Sequence, residues 1–406
     1  MPRHRRGRGN HPHPHGQARK IAEFFGNGGD DETGRCHAWV SGCYYYYSNS
    51  NSNNLTPSSR AWKEADALAD ARWWGEAGAG FAAIAEKAVR VKDRRLAREA
   101  ASRAADAFRR DDRPAAAAKM LRLAFQNGQD GLNDRVQLAA VLLDAGQIEA
   151  AFDIVATAAD TASDPAEKIL ALDTRVGLAL ARGRVADARQ DLAAIERFAL
   201  PGAEIAAGFR QAQLDRLDGL LSRAEAGWRQ LVDVLTPHAQ AAGPLGAAYA
   251  ELGETAALRQ ALGADVDPEP FFVAAVEAWT RAGRRSGVFR AEAWLLRVRR
   301  GLPTAIDRAI TYAMDRGMPL LAAELYVCRA VCKQDPVDAF EAVRIATEAP
   351  FARGRARVIA VELGGAADLS LAHSELREDA AWTARALLAD PATAAEGRMR
   401  AEALLA

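Results

Sequence analysis

The pattern of apolar and polar positions divides the chain into two parts. From about residue 59 onward, apolar residues recur at helical spacing and polar residues fill the opposite face. Residues 1–58 show neither a helical nor an alternating period. The pattern therefore predicts a long series of amphipathic helices that begins near residue 59, preceded by a segment with no regular structure.

The helices are interrupted at a nearly constant interval of about 34 residues. Glycine tolerates the left-handed conformation that closes a helix, whereas proline cannot continue one. The candidate turn residues are Gly78, Gly146, Gly183, Gly219, Gly253, Gly283, Gly317 and Gly354, with Asp112-Arg113-Pro114 in the remaining slot. The candidate terminators of each second helix are Pro165, Pro201, Pro237, Pro268 or Pro270, Pro303 and Pro336. Two independent markers with one period predict about eight helix–turn–helix units.

The period and the residue pattern resemble the tetratricopeptide repeat family. Leu245, Gly246 and Tyr249 stand where that family has Leu-Gly and an aromatic on the first helix. Ala224 with Trp228 and Ala322 with Tyr326 stand where it has Ala-x3-aromatic on the second. The resemblance implies an all-α fold: a right-handed α-solenoid of antiparallel helix pairs over residues 59–365, closed by capping helices over 366–406. Related helical-repeat families with a looser pattern remain open.

Composition supports an all-α chain and excludes several classes of function. Apolar residues make up 49% of the chain, many of them alanine, and aromatic residues only 7%. Lys+Arg and Asp+Glu are both 53, so there is no basic excess of the kind that nucleic-acid binding requires. No apolar run approaches the roughly 18 residues of a membrane-spanning helix. Four cysteines are too few for a disulfide scaffold, so we expect a cytoplasmic protein.

Residues 1–58 are rich in Gly, Pro, Ser, Asn and His, and this composition predicts a disordered leader. A start codon further along the chain remains an alternative. Cys36, His37 and Cys43 are of the residue types that bind zinc, with several histidines upstream. Their spacing is unusual and no second pair completes four ligands, so we expect no metal site.

The remaining motifs favour structure over chemistry. Gly78 to Ala83 fits the loose pattern G-x-G-x-x-A, but a helical pattern precedes it where a dinucleotide site needs a strand. Cys328 and Cys332 lie four residues apart on one helix face and are expected to be core residues. No metalloprotease, phosphate-loop, hydrolase or kinase signature is present. We expect no catalytic residues and no cofactor.

The candidate binding surface is the concave groove that such a superhelix encloses. In the family that the chain resembles, the first helix of each pair lines this groove. Placing each first helix by its turn directs a set of polar residues toward the groove: Asp106, Arg109, Asn133, Asp144, Asp173, Gln213, Arg216 and Glu251. A peptide or partner protein is expected there, and Arg216→Glu is expected to weaken binding without unfolding the array.

Three functions remain open on this basis. The first is a non-catalytic scaffold or adaptor that binds a peptide or partner protein. The second is the sensor or effector module of a signalling or transcription-regulatory system. The third is an all-α enzyme with a site across the groove, which a cluster of perturbed carboxylates at one point would favour. The sequence leaves the partner and the oligomeric state undetermined.

Overall fold

The computed structural model describes residues 60–128, 131–198 and 200–405, and these residues form twenty α-helices with no strand among them. The helices are α1 (Arg60–Asp70), α2 (Trp74–Arg90), α3 (Arg94–Arg110), α4 (Pro114–Gln126), α5 (Leu132–Asp144), α6 (Ile148–Thr161), α7 (Pro165–Ala181), α8 (Val185–Ile195), α9 (Pro201–Leu217), α10 (Leu221–Leu235), α11 (Ala242–Ala261), α12 (Glu269–Arg281), α13 (Arg285–Arg299), α14 (Thr304–Asp315), α15 (Pro319–Lys333), α16 (Val337–Ile345), α17 (Pro350–Glu362), α18 (Leu369–Leu376), α19 (Ala380–Ala389) and α20 (Ala394–Leu405). The predicted all-α fold is confirmed. The predictions for the leader and for Cys36, His37 and Cys43 lie outside the described residues.

Six of the nine predicted turns are confirmed. Their central residues close helices with a positive φ, as a left-handed helix terminus requires, and they are Asp112, Gly146, Gly183, Gly219, Gly283 and Gly317. Several further turns use residues that give no signal in the sequence. Arg72, Lys92, Arg300 and Gln334 also adopt positive φ, a conformation that costs a non-glycine residue roughly 1 kcal/mol.

The predicted turns at Gly78, Gly253 and Gly354 are wrong, because these glycines lie inside α2, α11 and α17. Each lies where a neighbouring helix comes very close. A Cβ on Gly78 would stand 2.8 Å from the Phe108 ring, and a Cβ on Gly253 would stand 2.8 Å from the Phe272 ring. Glycine serves both close approach and turns, so the sequence alone does not distinguish the two uses.

Most of the predicted terminator prolines stand at the start of helices, whereas Pro237 follows the end of α10, as predicted. Pro165, Pro201 and Pro270 occupy the first helical turn of α7, α9 and α12, and Pro336 precedes α16 directly. The first helical position suits proline because its missing N–H has no partner there in any case. At these four positions proline therefore begins the next helix instead of ending the previous one.

Consecutive helices pack against each other along the whole described chain. From α5 onward, odd-numbered helices also contact the next odd-numbered helix, with α9 and α11 joined through the Arg216–Glu251 ion pair. The odd-numbered helices thus form one layer and the even-numbered helices the other.

Small residues between the layers let large side chains pack closely. Ala224 and Trp228 on α10 are fully buried, and Trp228 meets Phe209 edge-to-face with the ring centroids 5.3 Å apart.

The relation between turns and layers changes in the middle of the chain. Gly146, Gly183 and Gly219 each follow an odd-numbered helix. Three helices, α10, α11 and α12, separate Gly219 from Gly283, because α11 runs through Gly253 and a further turn follows at Gly263. Gly283 and Gly317 consequently precede odd-numbered helices. In the C-terminal half these turns follow even-numbered helices, whereas the turns at Gly146, Gly183 and Gly219 follow odd-numbered ones.

The two halves of the chain meet along a line of contacts that we call the seam. Gly146 lies against Pro319 at the start of α15, Gly183 against Phe351 on α17, and Gly219 against Leu404 on α20. At one end of the seam, Asp112 accepts hydrogen bonds at 2.9 Å from the backbone N–H and hydroxyl of Ser286 and from the Tyr312 hydroxyl. The turns of the first half therefore contact helices of the second half, and the chain folds back on itself.

Asp144, one of the predicted groove residues, lies half-buried beside the seam. Burial raises the pKa of Asp144 to about 6; Arg284 and Arg109 act against the shift and Asp112 adds to it. An acid with a raised folded pKa contributes stability below its unfolded pKa of about 4, and that contribution is lost as the pH rises through 6.

We therefore expect Asp144→Asn to stabilise the protein above pH 6. The gain should be about 1–2 kcal/mol at pH 8, given 1.36 kcal/mol per pKa unit reduced by partial solvent exposure, and should vanish near pH 4. Thermal unfolding of both proteins at pH 4, 6 and 8 measures this. A difference that does not depend on pH would contradict the assignment.

None of the helices in the described ranges is both long and apolar enough to cross a lipid bilayer.

Candidate functional site

Seven odd-numbered helices, α7, α9, α11, α13, α15, α17 and α19, surround a cavity of about 380 Å³. We call these the inner helices. The volume lies within the range of small-molecule and cofactor sites. Apolar walls come from side chains on most of the inner helices: Leu180, Leu217, Ala257, Leu258, Leu320, Ala323, Val327, Phe351 and Ala352. Between these walls stand charged and aromatic side chains that form two groups, which share Trp294.

The first group, which we call the acidic end, joins α9, α11, α13 and α15. Arg216 pairs with Glu251 at 2.8 Å and with Glu254 at 3.4 Å. Arg290 pairs with Glu254 at 2.5 Å and with Glu324 at 2.9 Å. The indole N–H of Trp294 donates to Glu324 as well. Three carboxylates thus share two guanidinium groups, and the acidic end carries one more acid than base.

The pKa values of two acids at this end are displaced in opposite directions. Burial raises the pKa of Glu254, and the carboxylates of Glu251 and Glu324 add to the rise against Arg290 and Arg216. Burial acts the same way on Glu251, but attraction by Arg216 and Arg290 outweighs it and lowers the pKa. Of these two carboxylates, Glu254 therefore takes a proton more readily, and a nearby cation would favour its ionised form.

A buried ion pair connects the acidic end to α7. The Arg210 side chain is 5% exposed and the Asp173 side chain 1%. Arg210 binds both carboxylate oxygens of Asp173, at 2.7 and 3.2 Å, and donates to Gln213 at 3.0 Å. Gln213 in turn donates to Glu251 at 3.4 Å. Gly177 leaves the room for this, because a Cβ there would stand 2.9 Å from the Arg210 guanidinium.

The second group, which we call the basic end, repeats one motif on two helices. Trp294-x2-Arg297 lies on α13 and Trp382-x2-Arg385 on α19, and each guanidinium stacks on its tryptophan, at 4.4 and 4.7 Å from the ring centroid. Residues three apart share a helix face, which permits such stacking. Arg385 is held by both oxygens of Glu362, at 2.5 and 2.6 Å.

Arg355 and Arg297 complete the basic end. Arg355 pairs with Asp379 at 2.7 Å, while its Nε atom is buried with no hydrogen-bond partner among the described residues. Arg297 contacts the Cys328 thiol, and within the described chain it forms no ion pair with a carboxylate. Burial lowers the pKa of Arg297, and Cys328 is the first of the groups that oppose this. The basic end therefore holds three guanidinium groups against two carboxylates.

The structure gathers only part of the predicted groove set around this cavity. Gln213, Arg216 and Glu251 line the cavity, and Asp173 holds the lining residue Arg210. Asp106 pairs with Arg109 and Arg110 on α3, and Asp144 lies beside the seam. Asn133 is half-buried near the start of α5. These four residues, Arg109 included, stand outside the cavity lining.

Sequence reasoning missed the residues of the C-terminal half of the cavity. They are Glu254, Arg290, Trp294, Arg297, Glu324, Arg355, Trp382 and Arg385. The reason is that each first helix was placed directly before its turn. The helices before Gly283 and Gly317 are the even-numbered α12 and α14, which do not line the cavity. The repeated Trp-x2-Arg was the available signal. Residues 366–406, predicted as a cap, supply α19 and so part of the cavity wall.

Arg216→Glu is no longer expected to leave the array folded. Arg216 is largely buried between Glu251 and Glu254, so a third carboxylate there would meet two others without a counter-charge.

The cysteine pair and the glycine motif have structural explanations. Cys328 is fully buried in the core, as predicted, and burial holds the pKa of its thiol well above the ordinary value. Gly78 to Ala83 lie within α2, with helix α1 before it. Among the described residues, no three His, Cys, Asp or Glu side chains are grouped so that they would hold a metal ion.

Comparison of the chain with protein-family models and with curated proteins gives no match to either. The resemblance to tetratricopeptide repeats therefore stays a prediction from the sequence, and the geometry of the cavity carries the functional argument.

Proposed function

We propose that this protein is a non-catalytic scaffold or adaptor whose inner helices receive a peptide or a short segment of a partner protein. We also propose that its helix pairs form a right-handed superhelix of the tetratricopeptide type. The period of about 34 residues and the buried Ala224–Trp228 packing support this arrangement. The partner's segment would then occupy the axis of the superhelix.

One observation carries the functional proposal: a cavity of about 380 Å³ combines apolar walls with polar groups from six of the seven surrounding helices. Apolar walls supply affinity, and a few fixed polar groups supply orientation and specificity. The guanidinium and carboxylate groups are held by one another, so they are positioned before a ligand arrives. Such preorganisation lowers the entropy cost of binding.

Filling the cavity tests the proposal. We expect Ala352→Phe, on the cavity wall, to abolish co-purification of the partner with the full-length chain. The matched variant Ala115→Phe places the same side chain at an exposed position of α4 and should retain the partner. Affinity purification followed by mass spectrometry compares the two. A partner retained equally by both variants would bind elsewhere, and the absence of any partner would overturn the proposal.

An all-α enzyme is the second candidate, because Glu251 and Glu254 have pKa values displaced in opposite directions within one cavity. General acid–base catalysis uses pairs of this kind. Ion pairing with Arg216 and Arg290 accounts for both carboxylates as structural groups, which favours the binding function. Conversion of the bound molecule to a product by the wild type, and not by Glu254→Gln, would instead favour the enzyme.

A further inference from the structure

Ion pairing leaves one charge of each sign unmatched in the cavity: an acid beside Arg290, and the base Arg297 two helical turns further along α13. The acidic end has three carboxylates, Glu251, Glu254 and Glu324, for two guanidinium groups. The basic end has three guanidinium groups for two carboxylates, with Arg297 the one that lacks an acid. A cavity with one unmatched charge of each sign best complements a ligand that carries one charge of each sign.

We infer that the cavity binds a short free-ended peptide, with its ammonium group at Glu254 and Glu324 and its carboxylate at Arg297. This inference rests on the proposed function and names the ligand class of the same site. A free peptide is zwitterionic at neutral pH, and its two charges are joined by a chain that apolar walls can cover. A guanidinium group binds a carboxylate with planar, paired hydrogen bonds.

The separation of the two ends sets the length of the ligand. Arg290 of the acidic end and Arg297 of the basic end lie seven residues apart on α13. Seven residues of α-helix span about 10 Å. An extended peptide covers about 3.3–3.6 Å per residue, so about three residues join the two ends. The cavity of about 380 Å³ accommodates a ligand of this size and excludes a helix.

Each end has a polar group that would interact with the ligand charge placed there: the Arg355 guanidinium with the carboxylate and the Glu254 carboxylate with the ammonium group. The buried Nε atom of Arg355 has no hydrogen-bond partner within the described residues, although buried donors are nearly always satisfied. A carboxylate at Arg297 would lie near it, since both residues line the basic end. At the other end, the raised pKa of Glu254 means that a ligand cation would favour its ionised form. Trp294 and Trp382 provide flat apolar surfaces for the peptide body.

Native mass spectrometry of the full-length chain tests the inference with defined probes. The probes are three mixtures of tripeptides built from Ala, Leu, Phe and Ser: free-ended, N-acetylated and C-amidated. We expect the free-ended mixture to be retained at least 10-fold more than either blocked mixture, because each block removes one charge. No retention, or equal retention of all three mixtures, would overturn the inference.

Two variants assign the ends. Arg297→Met should remove the preference for a free carboxylate and keep the preference for a free amine, whereas Glu254→Gln should do the reverse. Arg308→Met, at an exposed position of α14, is the matched control and should bind as the wild type does. A preference that survives in both cavity variants would refute the assignment. A macromolecular partner lost in Ala352→Phe, with no tripeptide retained, would refute the inference while leaving the proposed function intact.

Discussion

Arg210→Met is expected to lower the free energy of unfolding by about 3–5 kcal/mol, the usual cost of breaking a buried ion pair from one side. The variant leaves Asp173, whose side chain is 1% exposed, with an uncompensated charge in the inner layer. It also removes four hydrogen bonds that join α9 to α7 and orient Gln213. Chemical denaturation followed by circular dichroism measures the loss.

The double variant Arg210→Met with Asp173→Leu separates the charge effect from lost packing. Removing both partners of a buried pair is often close to neutral, because no charge is then left without water or a partner. We expect the double variant to recover most of the stability that Arg210→Met loses. If both variants are equally destabilised, the cost comes from packing and the ion pair contributes little.

Asp112→Ala is the second substitution with a large expected effect, about 3 kcal/mol. Asp112 is buried and accepts three hydrogen bonds from Ser286 and Tyr312 in the other half of the chain. Bonds to a charged acceptor are stronger than neutral ones, and the alanine variant would leave three donors in the seam without an acceptor. We expect the seam to open locally, so that the amide of Ser286 exchanges hydrogen faster.

Tyr312→Phe serves as the control for the seam because it removes one of the three bonds and leaves the acceptor satisfied by the other two. Its cost should be about 1 kcal/mol. Hydrogen exchange followed by mass spectrometry, with thermal unfolding, compares the variants. An Asp112→Ala variant no less stable than Tyr312→Phe, with unchanged exchange at the start of α13, would show that Asp112 does not hold the seam.

The cavity residues show which parts of the site could be predicted from the sequence. Gln213 and Arg216 were found because the turn at Gly219 fixed the position of α9. Glu251 was placed by the predicted turn at Gly253, which is wrong, but the helix assigned there coincides with part of α11. Arg290 and Arg297 were not found, because the glycine at 253 was interpreted as a turn and lies within α11. One misplaced turn exchanges inner and outer helices for the rest of the chain. A periodic pattern carries no marker of such a change.

The seam was beyond sequence reasoning altogether. Asp112 and Ser286 are 174 residues apart, and nothing in either segment points to the other. Gly146 and Gly183 serve local turns, which the sequence shows, and also lie against Pro319 and Phe351, which it does not.

The sequence by itself determined the all-α fold and six of the turns between helices, because these depend on interactions between residues a few positions apart. Side-chain periodicity and the backbone preferences of glycine and proline act at that range. The tertiary structure alone decided which helices face the cavity after α11, how the two halves meet, and that an unmatched acid and an unmatched base line one cavity. Those features depend on packing between helices that are far apart in the chain, and such packing leaves no local trace in the sequence.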